Sequence, residues 1–150
     1  MKLWVLRHGE AEPYGSRPDS ERELTDHGRE EVLRTAALLI GQPLTAIYAS
    51  PYLRAQQTAQ VVREALGFEP EIRTVEWLTP ETDPDKVAEQ LVSVSNVLLV
   101  SHNPLVGHLL SYLQHGAGYP PEKVSTAGLA ELDADELLIG SMKLNGIKHP

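Results

Sequence analysis

Short apolar blocks alternate along this chain with longer segments whose apolar residues recur every three or four positions. The first block, Leu3 to Leu6, reads as a strand that stops at Arg7-His8 and Gly9. Residues 12–23 are polar and carry Pro13, Gly15 and Pro18, which predicts a surface loop over the strand end. From Asp26 the spacing becomes helical. Val32, Leu33, Ala36, Ala37 and Ile40 fall on one stripe, with Thr25 or Asp26 as cap and Gly41 as stop. Residues 45–49 read as a second strand, and Ser50-Pro51 then offers a capping hydroxyl followed by proline at the first helical position. The helix expected there has the stripe Arg54, Thr58, Val61 and Ala65 and ends at Gly67.

Residues 71–75 read as a third strand, and Asp83-Pro84 opens a helix with the stripe Val87, Ala88, Leu91 and Val92. Residues 96–100 form the clearest buried strand. Ser101-His102-Asn103-Pro104 repeats the hydroxyl-then-proline device before the stripe Leu105, Val106, Leu109, Leu110 and Leu113. Beyond Gly116 a loop with Pro120-Pro121 leads to residues 128–132 and 137–144, which read as a hairpin turning through 133–136. Strands alternating with helices predict an α/β fold: three layers, α/β/α, around a mostly parallel sheet with C-terminal hairpin strands. In such sheets ligands bind at the carboxyl ends of the strands. Arg7-His8, Ser50 to Arg54 and His102-Asn103 all fall at that edge, so residues distant in sequence can converge there. Strand order stays open.

Composition narrows the chemistry. At 150 residues and 41% hydrophobic, the chain suits one domain over residues 1–150. With 13 basic and 21 acidic residues the net charge is -8, which argues against a general affinity for nucleic acid or anionic membrane. An anion must instead be held by a local cluster. Eight of the 13 basic residues are arginine, whose fork suits phosphate oxygens. Cysteine is absent, which excludes disulfides, thiolate nucleophiles and cysteine metal sites. His27, His108, His115 and His149 lack metal-ligand spacing, so neither metal nor cofactor is expected. No run approaches the ~20 apolar residues of a membrane span, and the N-terminal stretch meets Arg7 too early for a signal peptide. These features predict a soluble, cytoplasmic protein.

A neutral imidazole at a strand end can attack phosphorus, with Arg7 holding an anion beside it and Gly9 letting the backbone turn away. Arg54 falls in a first helical turn, where orphan amides and the helix dipole also attract anions. Arg22 lies among Asp19, Glu21 and Glu23, which fits either a surface ion pair or a further phosphate contact. Guanidinium groups disfavour protonation of a nearby histidine and offset the charge of a transferred phosphoryl group.

Four segments in order, Leu6-Arg7-His8-Gly9-Glu10, Leu24-Thr25, Ser50-Pro51-Tyr52-Leu53-Arg54-Ala55-Gln56-Gln57-Thr58 and Ser101-His102-Asn103-Pro104-Leu105-Val106-Gly107, resemble the histidine phosphatase superfamily. The resemblance spans essentially the whole chain. Leu78-Thr79-Pro80 and Ser125-Thr126-Ala127-Gly128-Leu129 look most like its SixA-type phosphohistidine phosphatases. It implies a phosphoglycerate mutase-like fold and hydrolysis through a phospho-His8 intermediate without a metal. Arg7 and Arg54 would bind the phosphoryl oxygens, His102 would be the second pocket histidine, and Arg22, Gly9 and Asn103 would complete the substrate side. Larger members place a glutamate after the third strand; here Glu76 precedes Trp77-Leu78-Thr79-Pro80 and Glu81 follows it. Glu76 and Glu10 are therefore both candidate proton donors. An imidazole leaving group needs far less protonation than an alkoxide, which favours phosphohistidine as substrate. The implied partner is a phosphohistidine-bearing protein, a phosphotransfer domain or phosphocarrier, with inorganic phosphate as product. Two alternatives remain: a small-molecule phosphomonoesterase or phosphoglycerate mutase-like enzyme, and a non-catalytic phosphate-binding signalling module.

Overall fold

The computed structural model describes residues 1–150. Six strands form one sheet: β1 (Lys2–Arg7), β2 (Ala46–Ala49), β3 (Arg73–Thr74), β4 (Val97–Ser101), β5 (Leu129–Asp133) and β6 (Lys143–Lys148). Their order is β3-β2-β4-β1-β5-β6. The first four run parallel, while β5 pairs antiparallel with β1 and with β6. Strand alternation sorts the core into two layers. Leu3 and Val5 of β1 pack with Val87 and Leu91 of α3 (Pro84–Gln90 and the residue after it) and with Leu105, Leu109 and Leu113 of α4 (Leu105–His115). Trp4 and Leu6 face the other way, against Val32 and Ala36 of α1 (Asp26–Ala36) and Ala55, Ala59 and Val62 of α2 (Leu53–Leu66). This is the expected three-layer α/β/α arrangement. No helix is long and apolar enough to cross a membrane.

Several expected boundaries move, each for a local reason. Helix α1 is capped by Thr25, whose side chain accepts from the Gly28 N–H at 2.9 Å. It buries Gly28, Glu31, Val32, Thr35 and Ala36, and leaves Leu33 and, beyond its end, Ile40 exposed. The inward face is set by contact with the loop after β1: a Cβ on Gly28 would lie 2.1 Å from the Glu10 carbonyl oxygen. Helix α2 begins at Leu53 rather than at Pro51, because the Ser50 hydroxyl accepts from the Tyr52 N–H and contacts His102. Its buried stripe is Ala55, Thr58, Ala59 and Val62 together with Arg54; Val61 is half-buried and Ala65 exposed. Likewise Ser101 ends β4 instead of capping α4, and its hydroxyl donates to the Leu78 carbonyl at 2.6 Å. The last strand is residues 143–148 rather than 137–144. Gly140 and Met142 both donate their N–H to the Leu113 carbonyl, so that stretch docks on the end of α4 before pairing with β5 begins.

Candidate active site

The carboxyl edges of β1, β4 and β2 lie side by side, with Arg7 opposite Ser101 and Ala49 opposite Val100. The ladder continues one residue further, where the His8 N–H donates to the Ser101 carbonyl and the Ser50 N–H to the Val100 carbonyl. His8 and His102 thus inherit the alternation of their strands and turn toward α2. Their rings sit edge to face with centroids 5.1 Å apart, both buried. The Tyr52 ring also packs on His102, with centroids 5.0 Å apart.

Two partners fix the protonation of His8. Its Nδ1 lies 2.7 Å from the Gly9 carbonyl oxygen, which can only accept, so Nδ1 carries the proton. Arg54 Nε, which can only donate, points at His8 Nε2 at 3.3 Å, so Nε2 holds a lone pair. Burial, reinforced by the charges of Arg54, Arg7 and Arg22 against the opposing Gly9 hydrogen bond, pushes the His8 pKa down to about 3. Burial, together with His8 and the same three arginines, pushes His102 down to about 2. Both imidazoles are therefore neutral near neutral pH.

The arginines come from three segments. Arg7 Nη1 donates to the Val124 carbonyl at 3.0 Å, while its buried Nε has no partner within the protein. Arg54 is 3% exposed and donates from Nη1 to the Asp19 carbonyl at 2.6 Å and from Nη2 to Asp19 Oδ2 at 3.4 Å. Arg22 donates from Nε to Asp19 Oδ1 at 2.9 Å and from Nη1 to the Glu12 carbonyl at 2.5 Å, with its guanidinium over the Tyr14 ring. Arg22 is ion-paired with Asp19, as one of its two sequence-based readings has it, but it is buried rather than on the surface, and its charge reaches both imidazoles. Although partial burial opposes it, the hydrogen bond from Arg22 and the charge of Arg54 hold the Asp19 carboxyl below the usual range, so it is ionised. Burial lowers the Arg7 and Arg54 pKa values, but guanidinium stays charged in proteins.

The remaining candidates occupy other roles. Gly9 donates its N–H to Thr58 Oγ1 at 3.1 Å, and a Cβ there would meet the Gly28 carbonyl oxygen at 2.6 Å. Its lack of a side chain therefore serves the contact with α1. Asn103 spends its amide on the fold, donating to the Val124 carbonyl at 3.2 Å and accepting from the Gly107 N–H at 3.3 Å. Glu76 is exposed in a 3-10 turn (Glu76–Leu78). Glu10 is exposed as well and accepts from the Thr25 hydroxyl at 2.8 Å. A cavity of about 610 Å³ lies between residues 80–85, α4 and residues 116–119, with neither His8 nor His102 in its lining.

Other residues in the arrangement are ones that sequence reasoning placed elsewhere. Ser50 was expected as a helix cap, yet its Oγ lies 2.7 Å from His102 Nε2. Thr58, wholly buried, links Gly9 to the Arg54 carbonyl. Asp19 bridges two guanidinium groups, and the only signal for it is its spacing three residues before Arg22. Residues 124–128 close the rear of the site. Ala127, in the left-handed region at φ 55°, donates its N–H to the His8 carbonyl at 2.9 Å, and Thr35 holds the Ala127 carbonyl at 2.7 Å.

The chain has counterparts among known proteins. Phosphohistidine phosphatase SixA of Escherichia coli is 34% identical over 143 residues, covering 91% of this chain and 87% of that one. The SixA homolog of Haemophilus influenzae is 33% identical over 127 residues, covering 75% of this chain and 77% of its own. The solved structure of the protein histidine phosphatase SixA complexed with tungstate superposes with a TM-score of 0.88 at 32% identity, covering 99% of this chain and 97% of that one. The model of the histidine phosphatase superfamily, branch 1, matches residues 3–78, and with these relatives it shows that the chain belongs to that superfamily.

Proposed function

We propose that this protein removes the phosphoryl group from a phosphohistidine on a partner protein, with His8 as the nucleophile. The observation that carries this reading is the double fixing of the His8 ring: a protonated Nδ1 on the Gly9 carbonyl and an unprotonated Nε2 facing Arg54, with His102 alongside. In the first step Nε2 attacks phosphorus, the bond from phosphorus to the partner's imidazole nitrogen breaks, and phospho-His8 forms. Water then attacks the phosphorus, giving inorganic phosphate and restoring His8. Arg7, Arg54 and Arg22 supply the positive charge that phosphoryl transfer requires. Arg7 Nε and His102 Nδ1 are the two buried polar atoms beside His8 without a protein partner, and a phosphoryl oxygen would satisfy them. Two relatives are named phosphohistidine phosphatase SixA or its homolog, and a solved SixA structure holds tungstate, an oxyanion; both points support the assignment.

The carboxylates favour the same substrate class. Asp19 is held ionised, and Glu31 accepts from the Glu10 N–H and the Thr126 hydroxyl. Glu76 is exposed on its 3-10 turn. A leaving group that departs without a strong proton donor suits this setting, and an imidazole does so far more readily than an alkoxide. The test is phosphate release from a phosphohistidine-bearing phosphocarrier, with trapping of an acid-labile, alkali-stable phosphoenzyme. Wild type should release phosphate and form the adduct, and His8→Ala should do neither. Equal release by the two proteins would defeat the proposal.

A further inference from the structure

Arg54 has all three guanidinium nitrogens engaged: Nε on His8, Nη1 on the Asp19 main-chain carbonyl and Nη2 on the Asp19 carboxylate. The Asp19 carboxylate also takes Nε of Arg22, so one anionic side chain joins two guanidinium groups from separate segments. That is how a phosphoryl oxyanion would be gripped between them. A carboxylate whose task was to brace an arginine from behind would leave the other edge of the fork free. Here both Nη atoms of Arg54 are taken. Asp19 also stands on the solvent side, its side chain 45% exposed while that of Arg54 is 3% exposed. It belongs to a 3-10 turn (Asp19–Glu21) with no buried residue and no side-chain cap, which ties it down weakly.

Resting on the phosphatase reading, we infer that Asp19 is a resident anion: it occupies the arginine clamp of the free enzyme, competes with phosphate for it, and so sets how tightly product is held and how fast it leaves. Arrival of a phosphoryl group draws Arg54 and Arg22 from Asp19 onto the phosphoryl oxygens, and like-charge repulsion moves the turn outward. Departure of phosphate lets the carboxylate return. The resident charge thus keeps the product from saturating a site that carries three arginines.

Inorganic phosphate titrated calorimetrically, and its product-inhibition constant during phosphohistidine hydrolysis, test this on wild type, Asp19→Asn and Asp19→Ser. Both variants should bind phosphate about ten-fold more tightly, a gain of about 1.4 kcal/mol. KM and kcat should fall together as release slows. Glu21→Gln makes the same change in net charge on the same turn without touching either arginine, and should stay within about two-fold of wild type. Unchanged or weaker phosphate binding in both Asp19 variants overturns the inference, as does an equal tightening in Glu21→Gln. Wild type that neither binds phosphate nor forms a phosphoenzyme overturns the phosphatase reading and this inference with it. Wild type that does both while the Asp19 variants fail to tighten overturns this inference alone.

Discussion

Thr58→Val tests whether the backbone at Gly9, rather than the histidine ring alone, carries the alignment of the nucleophile. Valine keeps the shape of threonine and removes the hydroxyl. The Gly9 N–H has Thr58 Oγ1, at 3.1 Å, as its hydrogen-bond partner, and both residues are buried, so the substitution strands a donor out of reach of water. An orphaned buried donor costs about 1–3 kcal/mol. The lost bond from Thr58 to the Arg54 carbonyl adds little, because that carbonyl also lies in the helical ladder of α2. For a chain of this length each kcal/mol shifts Tm by about 2–4 °C, giving an expected fall of about 2–12 °C. The same residue presents its carbonyl to His8 Nδ1 at 2.7 Å. If Gly9 relaxes toward solvent, the ring follows, and a displacement of about 1 Å costs about 100-fold in rate. Thermal unfolding by circular dichroism and phosphate release from a phosphohistidine protein read the two effects separately. Thr58→Ser should restore both. A Thr58→Val protein with Tm within about 1 °C of wild type and an unchanged kcat would refute the reasoning.

Three further outcomes follow from other contacts. Gly9→Ala forces a Cβ to 2.6 Å from the Gly28 carbonyl oxygen and 2.8 Å from Val32 Cγ2, so the loop after β1 and α1 must separate, with a loss of about 1–3 kcal/mol in a denaturant titration. Ser50→Ala removes the hydroxyl 2.7 Å from His102 Nε2, and kcat for phosphate release should drop about ten-fold or more, equivalent to about 1.4 kcal/mol, with a loss of about 1–3 kcal/mol in stability because buried His102 Nε2 is left without its partner. The histidine pKa values also shape stability against pH. Because the folded values of about 3 for His8 and about 2 for His102 lie below the ordinary 6.5, the unfolded chain binds more protons between these limits; stability is full above pH 6.5 and falls as pH drops through the window. Near pH 5 each histidine contributes a slope of about 1.4 kcal/mol per pH unit, so His8→Asn should flatten the measured profile by that amount, and an unchanged slope would contradict the buried neutral imidazole.

How far the sequence reveals this site depends on what each residue does for the backbone. Periodicity and the hydroxyl-then-proline pairs locate the strand edges, so His8, Arg54 and His102 were legible together as residues of one crevice. The helix starts were displaced because Ser50 and Ser101 turn their hydroxyls to His102 and the Leu78 carbonyl, and no local pattern distinguishes a capping serine from one held by a distant partner. Leu33 and Ile40 read as core, but the face of α1 is chosen by the backbone approach of Gly28 to Glu10, a contact between segments that periodicity does not encode. The last strand lies at 143–148 and not at 137–144 for a similar reason, since the carbonyl at the end of α4 captures residues 140 and 142 first.

Asp19 shows where such reading stops and three-dimensional electrostatics begins. In sequence it is one acid among several near Arg22, and an exposed pair of that kind contributes little. In the fold Arg54 arrives from a helix start 35 residues away and takes Asp19 Oδ2 at 3.4 Å, which changes the pair into a shared anion between two buried guanidinium groups. Three arginines without a resident negative charge would repel one another across a buried edge and, once filled, would hold phosphate tightly. The carboxylate offsets the first problem in the free enzyme and the second after hydrolysis. A site that must release a dianion on every turnover is thus expected to carry an acid where inspection of the chain suggests only a surface ion pair.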